Sequence, residues 1–221
     1  MTLRIGTLKD NARALAALDV FATHGYEDGV RAEMSATSSG RFWDLIKDTG
    51  KPFWITEGGT GNHSWPAPIH EGVGNAIHNA LVAGNCSAFV PWQITERRES
   101  VHALMTMSTY TPKTYTAMHY SRFIRPGAQR IDAQPAFGVV QVGAFYHEKT
   151  RDLAVVAINP TPQEQTVNMA FNNLEGLASL KVYRTSASEN LRELGELKVS
   201  NNRATLQMTP QSIVTCSGKT N

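Results

Sequence analysis

The stretch Phe53-Trp54-Ile55-Thr56-Glu57-Gly58-Gly59-Thr60-Gly61 joins a short apolar run to a carboxylate and then to a glycine-rich turn. Lys51-Pro52 leads into it. Residues 53 to 56 are aromatic or β-branched and read as a strand. The run carries no alternating polar face, which is the habit of a parallel strand covered on both sides. On either side the same strand-helix alternation repeats. Upstream, Ala14 to Leu18 reads as the end of a helix running into the strand Val20 to Thr23. Arg41 to Asp48 carries Phe42, Leu45 and Ile46 at helical spacing, and Thr49-Gly50 closes that helix. Downstream, Ile69 to Val82 places Ile69, Val73, Ile77, Ala80 and Leu81 on one helical face. Gly84-Asn85 stops it and the strand Ala88-Phe89-Val90 follows. A last helix is expected from about Pro112 to Phe123.

Near residue 135 the pattern changes. Short strands are expected beginning at Val139, then over 153–158, 166–171, 180–183, 194–199, 204–208 and 213–216. Turns separate them about every ten residues, at Asn159-Pro160, Asn172-Asn173, Ser200-Asn201-Asn202 and Thr209-Pro210. That rhythm indicates an antiparallel sandwich. The fold class is therefore α/β plus all-β, with residues 1–134 as a β/α region and 135–221 as a β-sandwich domain. Three barrel-type strands are visible, four if Leu3-Arg4-Ile5 belongs to another. A closed TIM-type (β/α)8 barrel needs eight strands and typically about 250 residues. The first region thus reads as the last three to four β/α units of a barrel.

Composition narrows the function. With 221 residues and 41% hydrophobic residues the chain can bury a core. A formal charge of only +2 gives no case for nucleic acid or an anionic membrane as partner. Arg97-Arg98 sits between Glu96 and Glu99 and reads as a solvated loop. No apolar run is long enough to cross a bilayer. Lys9, Asp10, Arg13 and Asp19 do not suit a signal peptide. Cys86 and Cys216 lack metal-ligand spacing and read as small core residues. His70, Glu71 and His78 do not form the helical zinc pattern, and Gly58-Gly59-Thr60-Gly61 lacks the Lys-Ser/Thr of a phosphate loop. No Gly-x-Ser-x-Gly elbow occurs. No cofactor and no metal are expected.

Three strand ends carry the candidate chemistry. Glu57 ends the strand 53–56, and in a β/α barrel that end is the catalytic face. The glycines after it let the backbone turn sharply and leave the carboxylate uncovered. Trp65, shortly beyond, offers an aromatic face of the kind that stacks on sugar rings. At the preceding strand end, His24 and Tyr26 share one face at period two and can bond a carboxylate or a hydroxyl. At the following one, Trp92 can floor a sugar subsite and Gln93 can bond a hydroxyl. Each residue also has a plainer reading: Glu57 as the start of a loop capping a helix, His24 as a structural histidine, Trp92 as core.

Taken in order, these segments resemble glycoside hydrolase family 30, a family of retaining β-glycosidases. His24-Gly25-Tyr26 is similar to the ending of that family's barrel strand 6. Trp54-Ile55-Thr56-Glu57 is similar to the nucleophile motif of strand 7, and Trp92-Gln93 to the pair ending strand 8. Tyr120-Ser121-Arg122-Phe123-Ile124-Arg125-Pro126-Gly127 resembles the turn from the final helix into the side sandwich, and Gln211 to Thr215 its last strand. The resemblance implies that Glu57 is the nucleophile and forms a covalent glycosyl intermediate. It implies that Tyr26 holds Glu57 ionised by a hydrogen bond, and that His24 and Trp92 line the subsite of the transferred sugar. The substrate would be a β-linked oligosaccharide or glycoside. A secreted or periplasmic protein would suit the family.

One part of the pattern is missing. A retaining glycosidase needs a second carboxyl group about 5.5 Å from the first. The family's acid/base lies in an Asn-Glu pair after strand 4, and no such pair precedes residue 135. Glu27, Asp28, Glu96 and Glu99 are the nearest carboxylates to the expected mouth. An incomplete barrel exposes strand edges and apolar surface, so a homo-oligomer, most simply a dimer, or a complementing N-terminal half is expected. The alternatives are a non-catalytic carbohydrate-binding module or an inactive fragment of a longer glycosidase.

Overall fold

The computed structural model describes residues 2–26, 30–32, 36–59, 61–133 and 138–221. Glu27 and Asp28, and the expected boundary at 134/135, lie outside the described residues. The chain divides into two compact units, residues 1–62 with 71–109, and residues 63–70 with 110–221.

The first unit opens with two helices, α1 (Thr2–Lys9) and α2 (Ala12–Ala16). Leu3-Arg4-Ile5 therefore belongs to a helix and is not a fourth strand. Eight residues run as one helix to Lys9, whose Nζ bonds the Leu45 carbonyl at 2.8 Å and Asp48 at 2.7 Å. Strand β1 (Phe21–His24), helix α3 (Ala36–Ile46) and strand β2 (Phe53–Gly58) follow. Between α3 and β2, Gly50 takes the left-handed conformation at φ 66°, the role expected of it.

The expected helix over 69–82 is two helices. The first, α4 (Ala67–His70), belongs to the second unit, and α5 (Val73–Val82) starts afresh in the first after Gly72, which is extended at φ −108°, ψ −157°. The period of 3.6 continues across this break, so the apolar pattern alone does not reveal it. Strand β3 (Ala88–Pro91) comes next. Two short strands, β4 (Thr95–Glu96) and β5 (Met105–Thr106), pair in parallel. The two-residue strand β6 (Thr109–Tyr110) carries the chain onward.

Strands β1, β2 and β3 form a parallel sheet in that order. One face packs on the helices: Phe21, Phe53, Ile55, Phe42, Ile46, Ala76 and Ala80 share a core, with the Phe42 and Phe53 rings stacked 4.4 Å apart. Full burial of side chains such as Phe53 and Ile55 contributes about 1.5–3 kcal/mol each. The other face is open. Ala22 is exposed, Trp54 is 42% exposed and Val90 48%. The sequence reads as buried on both faces; the structure buries one. Among the described residues β1 and β3 are also free edges.

The second unit is mostly antiparallel. After helix α6 (Pro112–Ser121) come β7 (Gln129–Ile131), β8 (Gln141–His147), β9 (Asp152–Asn159), β10 (Gln165–Ala170), β11 (Ser179–Ser186), β12 (Glu189–Lys198), β13 (Arg203–Met208) and β14 (Ser212–Lys219). One sheet runs β12-β11-β14-β9-β8-β7 and a second pairs β10 with β13. Ala204, Leu206 and Met208 point from β13 into the core that Leu153, Val155 and Ala157 enter from β9. The alternation in β13 is the clean period of two that its sequence shows. On the opposite face of the larger sheet, α6 packs against β11, β12 and β14. Cys86 and Cys216 are buried free thiols, as expected. No helix among the described residues is long and apolar enough to cross a membrane.

Candidate active site

Glu57 stands near the C-terminal end of β2, the middle strand of the parallel sheet. The register with β1 runs Phe21 to Phe53, Ala22 to Trp54 and Thr23 to Ile55, then jumps to His24 opposite Glu57. Thr56 is the extra residue. An irregularity of this kind re-aims the side chains beyond it. Here it sets His24 Nε2 3.5 Å from Glu57 Oε1, with both side chains about a third exposed, 39% and 30%. The sequence places these residues on neighbouring strand ends, but the bulge that brings them face to face has no signature in it.

Backbone bonds fasten all three strand ends together. Gly25 N donates to the Glu57 carbonyl at 2.6 Å, and Trp92 N donates to the Gly58 carbonyl at 2.9 Å. A Cβ on Gly25 would lie 3.2 Å from that carbonyl oxygen and 3.4 Å from the Gly58 Cα, so a side chain there would press on the tie between the strand ends. Residues 30–32 bond back to residues 24–26: Val30 N donates to His24 O, Arg31 N to Tyr26 O and Ala32 N to Gly25 O. The hydroxyl of Tyr26 is buried. Its ring lies edge-on to His24, centroids 6.0 Å apart, and to His102, 6.4 Å apart.

Behind the carboxylate, Gly59 sits at φ +87°, and an added Cβ would meet Val73 Cγ2 at 3.0 Å. Both strain and contact oppose a side chain there. Gly59→Ala is expected to destabilise the chain by about 1–3 kcal/mol. A lowered urea midpoint with an unchanged slope would register that, and an unchanged midpoint would contradict it.

Trp92 is 46% exposed, not a core residue. The peptide joining it to Gln93 is cis. Gln93 Nε2 donates to Glu96 Oε1 at 2.7 Å, so Gln93 is anchored from its own loop. Glu96 is half-buried and Glu99 exposed. Trp65 belongs to the second unit, where its indole N–H donates to the Gln211 carbonyl at 2.8 Å. Among the described residues, no cluster of three His, Cys, Asp or Glu side chains could hold a metal ion.

His102 is the residue that sequence reasoning overlooked. It lies in a polar loop, and nothing in its spacing from Trp92 or Tyr26 connects it to either.

A partly exposed carboxylate flanked by an imidazole, with a half-exposed indole on the next strand end, can serve as a nucleophile or ligand for a polar molecule with apolar faces. No family model matches the chain. The chain is 31% identical over 217 residues to the glucuronoxylanase XynC of Bacillus subtilis (strain 168), covering 93% of the chain and 47% of that protein. Its fold matches a GH30 endoxylanase from Clostridium papyrosolvens C71 with TM-score 0.80 and 27% identity, covering 95% of the chain and 51% of the other. A family 30 subfamily 8 xylanase, Xyn30A of Clostridium acetobutylicum, shares the fold with TM-score 0.78 at 20% identity. The chain spans about half the length of these relatives. The chain is similar to glycoside hydrolase family 30 xylanases over nearly all of its own length and about half of theirs.

Proposed function

We propose that the chain carries the nucleophile side of a retaining β-glycosidase site acting on β-linked, xylan-type saccharides, with Glu57 as nucleophile. The observation that carries this reading is the placement of Glu57: a partly exposed carboxylate near the C-terminal end of the middle parallel strand, 3.5 Å from His24. Carboxylates at that end of a β/α sheet are where barrel enzymes keep their chemistry. In this reading β1, β2 and β3 are the last strands of a TIM-type barrel and the antiparallel sheets of the second unit are its side sandwich, with the regions meeting near residue 135. Glu57 attacks the anomeric carbon and the glycosyl-enzyme forms with loss of the leaving group; water then releases the sugar.

His24 and Trp92 line the subsite of the transferred sugar. Trp92 offers its exposed face to the ring C–H groups, and Gln93 extends the binding surface. The resemblance gives Tyr26 the role of aiming Glu57 through a hydrogen bond, but in this structure its buried hydroxyl makes no bond to that carboxylate, so the role requires the hydroxyl to turn towards Glu57. The acid/base comes from a complementing N-terminal half or a second copy, which would also cover Trp54 and Val90 and pair with the free edges of β1 and β3.

Calorimetric titration with a β-xylo-oligosaccharide, beside hydrolysis of an aryl β-xyloside, tests this. Binding with turnover supports a glycosidase site. Binding without turnover of the activated substrate indicates a non-catalytic carbohydrate-binding module. Neither binding nor turnover by folded chain contradicts the proposal.

A further inference from the structure

The loop after β3 does more than leave the sheet. Leu104 N donates to the Gln93 carbonyl at 2.8 Å, Met105 N to the Ile94 carbonyl at 2.9 Å and Met107 N to the Glu96 carbonyl at 2.7 Å. These bonds close residues 94–103 into an excursion with its base beside Trp92. Ala103, at its return, is fully buried and anchors it. From that anchor the neighbouring His102 reaches the ring of Tyr26, at 6.4 Å between centroids and 80° between planes.

The topology gives this contact its meaning. Tyr26 follows β1, the loop follows β3, and β2 lies between them. Neighbouring strands are about 4.8 Å apart, so the loop spans about 10 Å to make the contact. It therefore bridges past the end of β2, where Glu57 stands. The imidazole of His102 is itself exposed. Three exposed apolar residues accompany it on the same loop or its base: Trp92 at 46%, Ile94 at 68% and Val101 at 52%. Solvent-facing apolar side chains beside a polar ring suit a sugar, whose C–H faces and hydroxyls call for both.

We infer that the 94–103 loop forms a wall of the Glu57 cleft and that His102 is a saccharide-binding residue, donating or accepting one hydrogen bond with a sugar hydroxyl. The inference rests on the glycosidase reading above. The T-shaped contact with Tyr26 holds the exposed imidazole beside that ring.

The test is calorimetric titration of the full chain with β-xylohexaose, using His102→Ala, His102→Phe and His102→Asn. His102 is exposed, so all three should fold. Phe keeps an aromatic contact with Tyr26 but no hydrogen bond; Asn keeps a hydrogen-bonding group but no ring. The expected result is about tenfold weaker binding for Ala and Phe and a change within about twofold for Asn. If the parent chain binds and His102→Phe binds equally well, the residue only packs and the inference is overturned while the glycosidase reading stands. If the parent chain binds and all three variants bind as it does, His102 does not touch the sugar. Absence of binding by the folded parent chain overturns both.

Discussion

Glu57→Gln is expected to lower aryl β-xyloside hydrolysis by at least about a thousandfold, with thermal unfolding unchanged. The amide matches the carboxylate in shape but cannot attack an anomeric carbon. The fold has little stake in the charge. The side chain is 30% exposed, and the backbone bonds that tie the strand ends use the Glu57 and Gly58 carbonyls, not the carboxylate. An aryl leaving group departs with little acid assistance, so the assay reads the nucleophile even where the acid/base is absent. The smaller variant Glu57→Ala leaves room for a small anion. Azide should then restore leaving-group release by direct displacement, forming the α-xylosyl azide. Retention of parent activity by Glu57→Gln would remove Glu57 from the reaction.

His119 should make the second unit acid-labile. It is fully buried on α6, with Nδ1 2.8 Å from Thr215 Oγ1 and Nε2 2.9 Å from Thr185 Oγ1. The surrounding bonds fix its tautomer. Thr215 Oγ1 donates to the His119 carbonyl at 3.1 Å, so it accepts from Nδ1–H. Thr185 Oγ1 accepts from Leu191 N at 2.9 Å and donates its own proton to Nε2. Every hydrogen in the set is used by the neutral ring, and none of these partners is an anion. Burial pushes the His119 pKa down to about 3, against an ordinary value of 6.5. The unfolded chain therefore takes up a proton below pH 6.5 that the folded chain refuses, and stability falls as pH drops from 6.5 towards 3.

The limiting slope from one such group is about 1.4 kcal/mol per pH unit. In the first unit His78, pushed by burial to about 4, acts with the same sign. His119→Ala should cost about 3–5 kcal/mol near neutral pH, because it opens a cavity and orphans two threonine hydroxyls. It should also flatten the acid limb of the second unit's unfolding. Urea midpoints between pH 7 and 5 test this; parallel pH dependences for parent and variant would contradict it.

The sequence exposes most of the framework because its signals are local. Phe53 to Thr56, Leu153 to Ile158 and Ala204 to Met208 are apolar runs or alternations bounded by turn residues, and each is a strand. The nearness of His24, Glu57 and Trp92 follows from three consecutive strand ends in one parallel sheet. What stays hidden depends on non-local detail. Leu3 to Ile5 is too short to separate strand from helix by period. The break at Gly72 keeps helical phase on both sides. The skipped Thr56 needs the partner strand to define it, and the contact of His102 with Tyr26 needs the return of a ten-residue loop. Trp65, near Glu57 in sequence, belongs to the other unit.

The central claim is that Glu57 becomes covalently glycosylated. A 2-deoxy-2-fluoro-β-xyloside with a dinitrophenolate leaving group tests it, because fluorine slows both formation and release of the glycosyl-enzyme while the activated leaving group keeps formation the faster step. Incubation of the chain with this reagent, then intact mass and peptide mapping, should show one fluoroxylosyl group on the peptide containing Glu57, and none in Glu57→Gln. An adduct on a different carboxylate, or aryl xyloside turnover that survives Glu57→Gln, would contradict the account.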